Sequence, residues 1–163
     1  VWAPIPPSNN LALAGADIIM NLSASDELIG KHAYLKSLLA QQSARTISAY
    51  VYAGSGFGES TQDVVFGGNA MIFENGKLLL EGSRFSIQPQ IQSCQIDVEK
   101  LRSERRTNTT FINAQRNSHA RLISCKPVAP KEFELLRDVD PHPFIPKKEI
   151  MSETCEEILN IQV

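Results

Sequence analysis

Apolar positions fall into short runs of strand length, separated by longer stretches at helical spacing. Ala16 to Leu22 (Ala-Asp-Ile-Ile-Met-Asn-Leu) is one largely apolar run, and it predicts a strand buried on both faces. From about Glu27 or Lys31 to Arg45 the period changes, and Leu35, Leu38, Leu39 and Gln42 share a helical face. Ser48 to Ala53 then predicts a second buried strand. Strand, helix and strand in this order imply α/β layering.

Breakers and turn residues fill in the rest. Pro4, Pro6 and Pro7 hold the opening extended, and Ser8 or Asn9 then caps a short helix from Asn10 that stops at Gly15. Ser23-Ala24-Ser25-Asp26 is a turn, and Gly54 to Gly58 and Gly67-Gly68 are loops. Ala70 to Glu81 reads as a hairpin, because Asn75-Gly76 between two β-rich arms suits a type I′ turn. Ile91 to Val98 alternates as a strand would. Val98 to Arg106 has helical character, and Ala120 to Cys125 predicts one more strand. Five of the nine prolines lie between Pro127 and Pro146, as in a semi-rigid linker. Ser152 to Ile161 is helical again, with Ser152 as cap and Cys155, Ile158 and Leu159 as an apolar stripe.

Composition narrows the class. With 42% hydrophobic and 21% charged residues the chain is globular rather than disordered. A net charge of -2 gives no field for nucleic acid or an anionic membrane. The cluster Arg102, Arg105 and Arg106 is interleaved with Glu99, Lys100 and Glu104, the pattern of a solvated face. No run approaches the roughly 18 apolar residues of a membrane span, and no signal peptide opens the chain. The expected compartment is the cytoplasm. A start on Val1-Trp2 is expected of a boundary within a longer protein. Cys94, Cys125 and Cys155 are odd in number and widely spaced, fitting neither a disulfide framework nor a zinc site.

Few motifs carry chemistry alone. Gly54-Ser55-Gly56-Phe57-Gly58 follows a strand, but Glu59 stands where a dinucleotide loop needs its third glycine, and no lysine completes a phosphate loop. No Gly-x-Ser-x-Gly elbow occurs. His32, His119 and His142 lack carboxylates at relay spacing and read as surface residues. The cysteines lie in expected strands or on a helix stripe, so none reads as a nucleophile. Ser23-Ala24-Ser25 sits at the carboxyl end of an expected strand, where open α/β sheets bind ligands. The same serines could merely turn the chain and cap the next helix. Glu59-Ser60-Thr61, after the next strand, carries the same two readings.

Several of these segments resemble one family in the expected order. Trp2-Ala3-Pro4-Ile5-Pro6-Pro7-Ser8 is similar to the segment after the nucleophile in the glutaminase domain of glutamine-dependent NAD synthetases. The likeness continues through Gly15-Ala16-Asp17, Asn21-Leu22-Ser23-Ala24-Ser25, Ile29-Gly30-Lys31, Gln42-Ser43-Ala44-Arg45, Ala49-Tyr50-Val51-Tyr52-Ala53, and Gly58-Glu59-Ser60-Thr61 with Asp63. It takes in Glu74-Asn75-Gly76 and Ser103-Glu104-Arg105-Arg106 before Phe111. His142-Pro143-Phe144-Ile145-Pro146 and Cys155-Glu156-Glu157-Ile158 look like the passage into the synthetase domain.

The resemblance implies an α/β fold, part of a nitrilase-type αββα sandwich. It divides the chain into a partial glutaminase domain (1–126), a Pro-rich linker (127–150) and the start of a synthetase domain (151–163). The family hydrolyses glutamine with a Glu general base, an oxyanion-stabilising Lys and a Cys nucleophile, and passes the ammonia to a domain that amidates adenylylated deamido-NAD using ATP and magnesium. By this likeness the whole triad lies upstream of Val1 and the ATP-binding loop beyond Val163. The chain then holds no catalytic residue, metal site or cofactor of its own. Ser25 matches a serine that contacts glutamine, and Trp2 follows the nucleophile turn. Ser23, Glu59 and Ser60 are further expected substrate-side residues. The implied partners are glutamine, the upstream glutaminase half, the downstream synthetase domain and further copies in a homo-oligomer. Two alternatives remain: an amidase or carbamoylase of other substrate, against which the Pro-rich tail argues, and a non-catalytic scaffold.

Overall fold

The computed structural model describes residues 1–60, 62–115, 118–126, 134–145 and 150–162. Thr61 and the parts of the expected linker at 127–133 and 146–149 lie outside the described residues. The chain divides into two compact units, Val1–Phe133 and Glu134–Val163.

The first unit is organised by a four-stranded sheet in the order β1-β2-β3-β4. β1 (Ile18–Ser23) and β2 (Ala49–Gly54) pair in parallel, with Ile18 opposite Ala49 and Ser23 opposite Gly54. Parallel neighbours need a crossover, and α2 (Lys31–Arg45) supplies it, as the change of period predicts. β3 (Ala70–Glu74) and β4 (Lys77–Glu81) continue the sheet antiparallel. Asn75 and Gly76 adopt φ of 45° and 84°, the positive pair a two-residue I′ turn requires.

One face of this sheet is sealed. Ile19, Tyr50, Tyr52, Met71 and Phe73 alternate onto it and pack against Leu35 and Leu39 of α2 and Ala12 of α1 (Pro7–Leu13). Each large side chain fully buried there contributes about 1.5–3 kcal/mol over its exposed state. α1 begins earlier than the sequence suggests: Pro6 is the N-cap, Pro7 follows at the first position, and neither Ser8 nor Asn9 caps it. Ser8 is buried instead, accepting a 3.0 Å bond from the Gln42 amide.

The other face corrects the expectation that β1 is buried on both sides. Met20 and Leu22 are 78% and 85% exposed, while Ile19, on the opposite face, is 4% exposed. β1 is an edge strand, and among the described residues no second sheet lies on this face. Its starting end is covered, where Ala49 packs with Ile47, Leu101 and Phe111. Leu101 belongs to α3 (Val98–Thr107) and Phe111 to α4 (Thr109–Gln115), a helix the sequence did not suggest. Asp97 caps α3 by accepting from the Lys100 amide at 2.9 Å.

The turn from α2 into β2 is strained. Ile47 has φ of 45°, a left-handed conformation in which a β-branched side chain crowds its own backbone. Arg105 holds it. Contrary to the solvated reading of its cluster, this side chain is buried, bonding the carbonyls of Ala16 (2.8 Å), Thr46 (3.1 Å) and Ile47 (2.9 Å) and the Asp17 carboxylate (3.3 Å). Mixed charge in sequence did not show that four acceptors converge on one guanidinium.

Two expected strands do not form. Residues 91–97 and 120–125 have no regular structure and join neither edge of the sheet. Cys94 and Cys125 are therefore not strand residues. In the second unit α5 (Met151–Gln162) is the expected helix, though Ser152 lies inside it rather than capping it. Its stripe of Cys155, Ile158 and Leu159 is exposed among the described residues.

Candidate functional site

The carboxyl ends of β1 and β2 meet a polar layer built by three loops. Ser23, the last residue of β1, accepts from the Ser55 amide (2.9 Å); the Ser55 carbonyl accepts from Gly68 (3.0 Å), and the Asn69 carbonyl from Gly54 (2.7 Å). Beyond Ser23 the chain reaches Ser25, Asp26 and Glu27, and the Glu27 amide bonds the Val65 carbonyl (2.7 Å). α2 then starts behind Gly30, whose φ of 81° and lack of a side-chain cap leave the helix terminus open toward this layer.

Ser25, Asp26, Glu27, Lys31, His32, Leu35 and Asn69 together line a small pocket. Lys31 is its cation. Its Nζ donates to the Asp26 carbonyl (2.6 Å) and carboxylate (2.9 Å) and lies 5.2 Å above the Trp2 ring. Trp2 stacks in turn on Tyr34, with ring centroids 5.9 Å apart. Hydrogen bonding and charge from Lys31 hold the Asp26 carboxyl below its usual range. Two of the three ammonium donors are thus used, and the Ser25 hydroxyl makes no hydrogen bond among the described residues.

Along the pocket wall and beyond it runs a line of paired groups. Glu27 accepts from the Asn69 amide and from Arg84 (2.9 Å). Asn69 Oδ1 lies 2.8 Å from His32 Nδ1, and His32 Nε2 lies 2.8 Å from Glu81, which also pairs with Lys36 (2.6 Å). Lys36 chiefly, with His32, keeps the Glu81 carboxyl below the ordinary value. A Cβ on Gly67 would overlap the Glu27 carboxylate, so that glycine permits the close approach.

The structure places Ser25 in the pocket with Lys31 and Asp26, and Trp2 outside its lining, under the Lys31 ammonium. Ser23 stands at the strand end beneath it with its carbonyl engaged. Glu59 is placed elsewhere: its carboxylate caps the Gly56 amide (2.7 Å), and it lines a groove of about 640 Å³ bounded by Val51, Ala53, Ile72 and Gln88. Ser60 lines neither. The sequence reading quoted Lys31 and gave it no role, and it took His32 for a surface residue. The spacing Asp26-x4-Lys31 after a strand was the available signal. Partners 37 and 49 residues away along the chain left none for His32. No cysteine lines the pocket, and no cluster of three metal-ligating side chains occurs among the described residues. No described helix is long and apolar enough to cross a membrane.

No family model matches the chain. Among curated relatives, the glutamine-dependent NAD(+) synthetase of Mycobacterium leprae is 40% identical over 173 residues, taking in all of this chain and 25% of the relative. That of Mycobacterium bovis is 39% identical over 170 residues, with the same shares. In sequence the chain matches a segment of the glutamine-dependent NAD(+) synthetases. It spans about a quarter of the length of these relatives. The putative glutamine-dependent NAD(+) synthetase of Schizosaccharomyces pombe is 29% identical over 106 residues, covering 64% of this chain and 15% of that protein. Among solved structures, a carbon-nitrogen hydrolase from Helicobacter pylori G27 superposes with a TM-score of 0.54 at 18% identity, over 69% of this chain and 42% of that one. The fold is thus of the nitrilase type, as the synthetase likeness implies.

Proposed function

We propose that this chain forms the substrate side of the glutamine-hydrolysing domain of an NAD-forming synthetase. One observation carries the reading: at the carboxyl end of β1, Ser25 offers a free hydroxyl beside the oriented ammonium of Lys31 and the ring of Trp2. Those three groups suit an amino acid with a carboxylate and a carboxamide. Lys31 takes the carboxylate, Ser25 hydrogen-bonds the polar backbone of the ligand, and the Trp2 ring walls the methylene stem.

The reaction needs a nucleophile that attacks the side-chain amide, forms a thioester, releases ammonia and yields glutamate when water enters. The triad that does this belongs to chain preceding Val1. What these residues contribute is position: they hold the amide carbon where such a nucleophile can reach it. In the same proposal 1–126 completes the glutaminase domain, 127–150 links it onward, and 151–163 opens a synthetase domain that uses ATP, magnesium and deamido-NAD in the cytoplasm. The intact protein is a homo-oligomer. Glu59 and Ser60 shape a boundary of the pocket or of the domain.

Calorimetric titration of glutamine tests the reading. Binding by this chain joined to its upstream half, weakened about tenfold by Ser25→Ala, supports it. Unchanged affinity in Ser25→Ala and Lys31→Ala together refutes it. This chain alone is expected to release no ammonia from glutamine, which a coupled ammonia assay checks.

A further inference from the structure

A second pocket opens at the other end of β1 from Ser25 and Lys31. Its volume is about 440 Å³, and its wall includes Asp17, Arg102, Arg105, Arg106, Ile112 and Gln115. The three arginines come from the second half of α3, and Ile112 and Gln115 from α4. Asp17 lies just before β1, so its pairing with Arg105 ties this wall to the sheet.

What the wall can bind depends on which donors are already used. Arg105 is 7% exposed and keeps one of its five guanidinium hydrogens after bonding Asp17 and three carbonyls. Arg102 holds one Asp17 oxygen through Nε and Nη2, both at 2.9 Å, and Glu99 through Nη1 at 3.1 Å. Two of its hydrogens are left. Arg106 makes no hydrogen bond or ion pair among the described residues, and neither does the Gln115 side chain. One carboxylate therefore faces three guanidiniums, and the wall keeps two positive charges. Glu99 stands outside that wall with its side chain 77% exposed, where water screens it.

A carboxylate ligand would answer one of these charges. A doubly charged phosphoryl group answers both and accepts from several donors at once. We propose that this pocket binds the phosphoryl group of a small molecule, a phosphate monoester or phosphate itself, with Arg106 as the main contact. Arg102 and Arg105, held in place by Asp17, add their spare hydrogens. Ile112 gives an apolar wall for the organic part of a monoester. The site is independent of the glutamine reading, since none of its residues lines the pocket at Ser25.

Nuclear magnetic resonance titration of the isotope-labelled 163-residue chain tests the site, at about pH 7.5, where a phosphoryl group is mostly doubly charged. The probes are inorganic phosphate, phenyl phosphate and benzoate. Both phosphates are expected to shift the Arg106 and Gln115 side-chain resonances saturably, and benzoate to bind at least about tenfold more weakly. Arg106→Gln should weaken phosphate binding about tenfold, with the unfolding midpoint in phosphate-free buffer unchanged. Arg106→Lys, which keeps the charge and loses the fork, should weaken it about threefold. Phenyl phosphate binding tighter than phosphate, with the preference lost in Ile112→Ser, supports the site and assigns it to a monoester. Equal affinities support it and assign it to phosphate itself. Benzoate binding as tightly as phenyl phosphate, an affinity unmoved by Arg106→Gln, or no saturable shift with either phosphate overturns the proposal.

Discussion

The two ends of the β1–β2 pair use charge in opposite ways. Where the strands begin, Arg105 donates to three backbone carbonyls and one carboxylate, and it is buried against Phe111, 5.0 Å from the ring. Where they end, Lys31 keeps a donor in hand and Ser25 keeps its hydroxyl free, both on the wall of a small pocket. The first arrangement is buried, with four of the guanidinium's five donors engaged, and holds a strained turn in place. The second is oriented but incomplete, as a site awaiting a ligand must be. Cations of similar appearance in sequence thus serve different purposes, and their burial and partners tell them apart.

The largest effect should come from the buried end. Arg105→Met leaves Asp17 with Arg102 as its remaining guanidinium and removes the donor to three carbonyls around a turn whose Ile47 is already strained, and it is expected to cost about 3–5 kcal/mol in urea unfolding. A loss below about 1 kcal/mol would mean that end is not held by its charge. At the other end Ser25→Ala should leave the unfolding midpoint in place while weakening glutamine binding in the joined halves by about 1.4 kcal/mol, or tenfold. A stability loss without a binding loss would reverse the contrast between the ends.

Smaller still is the acid limb. The Glu81 carboxyl is held below its ordinary value by Lys36 and His32, so its pairing stabilises the fold above the unfolded carboxylate value and is lost as pH falls through the folded one. Between about pH 5 and pH 3 the wild-type chain should lose stability faster than Glu81→Gln, by less than about 1 kcal/mol because the pair is partly exposed. Parallel slopes would remove that contribution. The least effect is expected on the bare face of β1, where Leu22→Ser should move the stability of this chain within about 0.5 kcal/mol. A loss comparable to that of a core leucine would show that something covers the face in solution.

Local rules made much of this fold legible. The period change before α2, the positive-φ pair Asn75-Gly76 and the helix at Val98 need only neighbours in sequence, and all appear in the structure. Failures occurred where partners are distant. Met20 and Leu22 promised a two-sided strand because apolarity says nothing about whether a second layer is at hand. Residues 91–97 and 120–125 had strand-like patterns, yet neither joins an edge of the sheet. In the site, Trp2 and Ser25 were marked by resemblance, whereas Glu27, His32 and Asn69 became visible only when folding brought them within bonding distance. The whole-chain likeness to synthetase relatives includes the Pro-rich tail, which a stand-alone amidase does not require.

Trp2 is the chain's sole tryptophan, and it stacks on Tyr34 beneath the Lys31 ammonium rather than in the core. The molecule therefore carries its one indole at its candidate site and none in its interior. Emission excited selectively in the indole will report the pocket, while circular dichroism follows the sheet and helices. A melt in which the optical signal departs first would show the pocket fraying ahead of the fold, and coincident curves would show the two unfolding as one body.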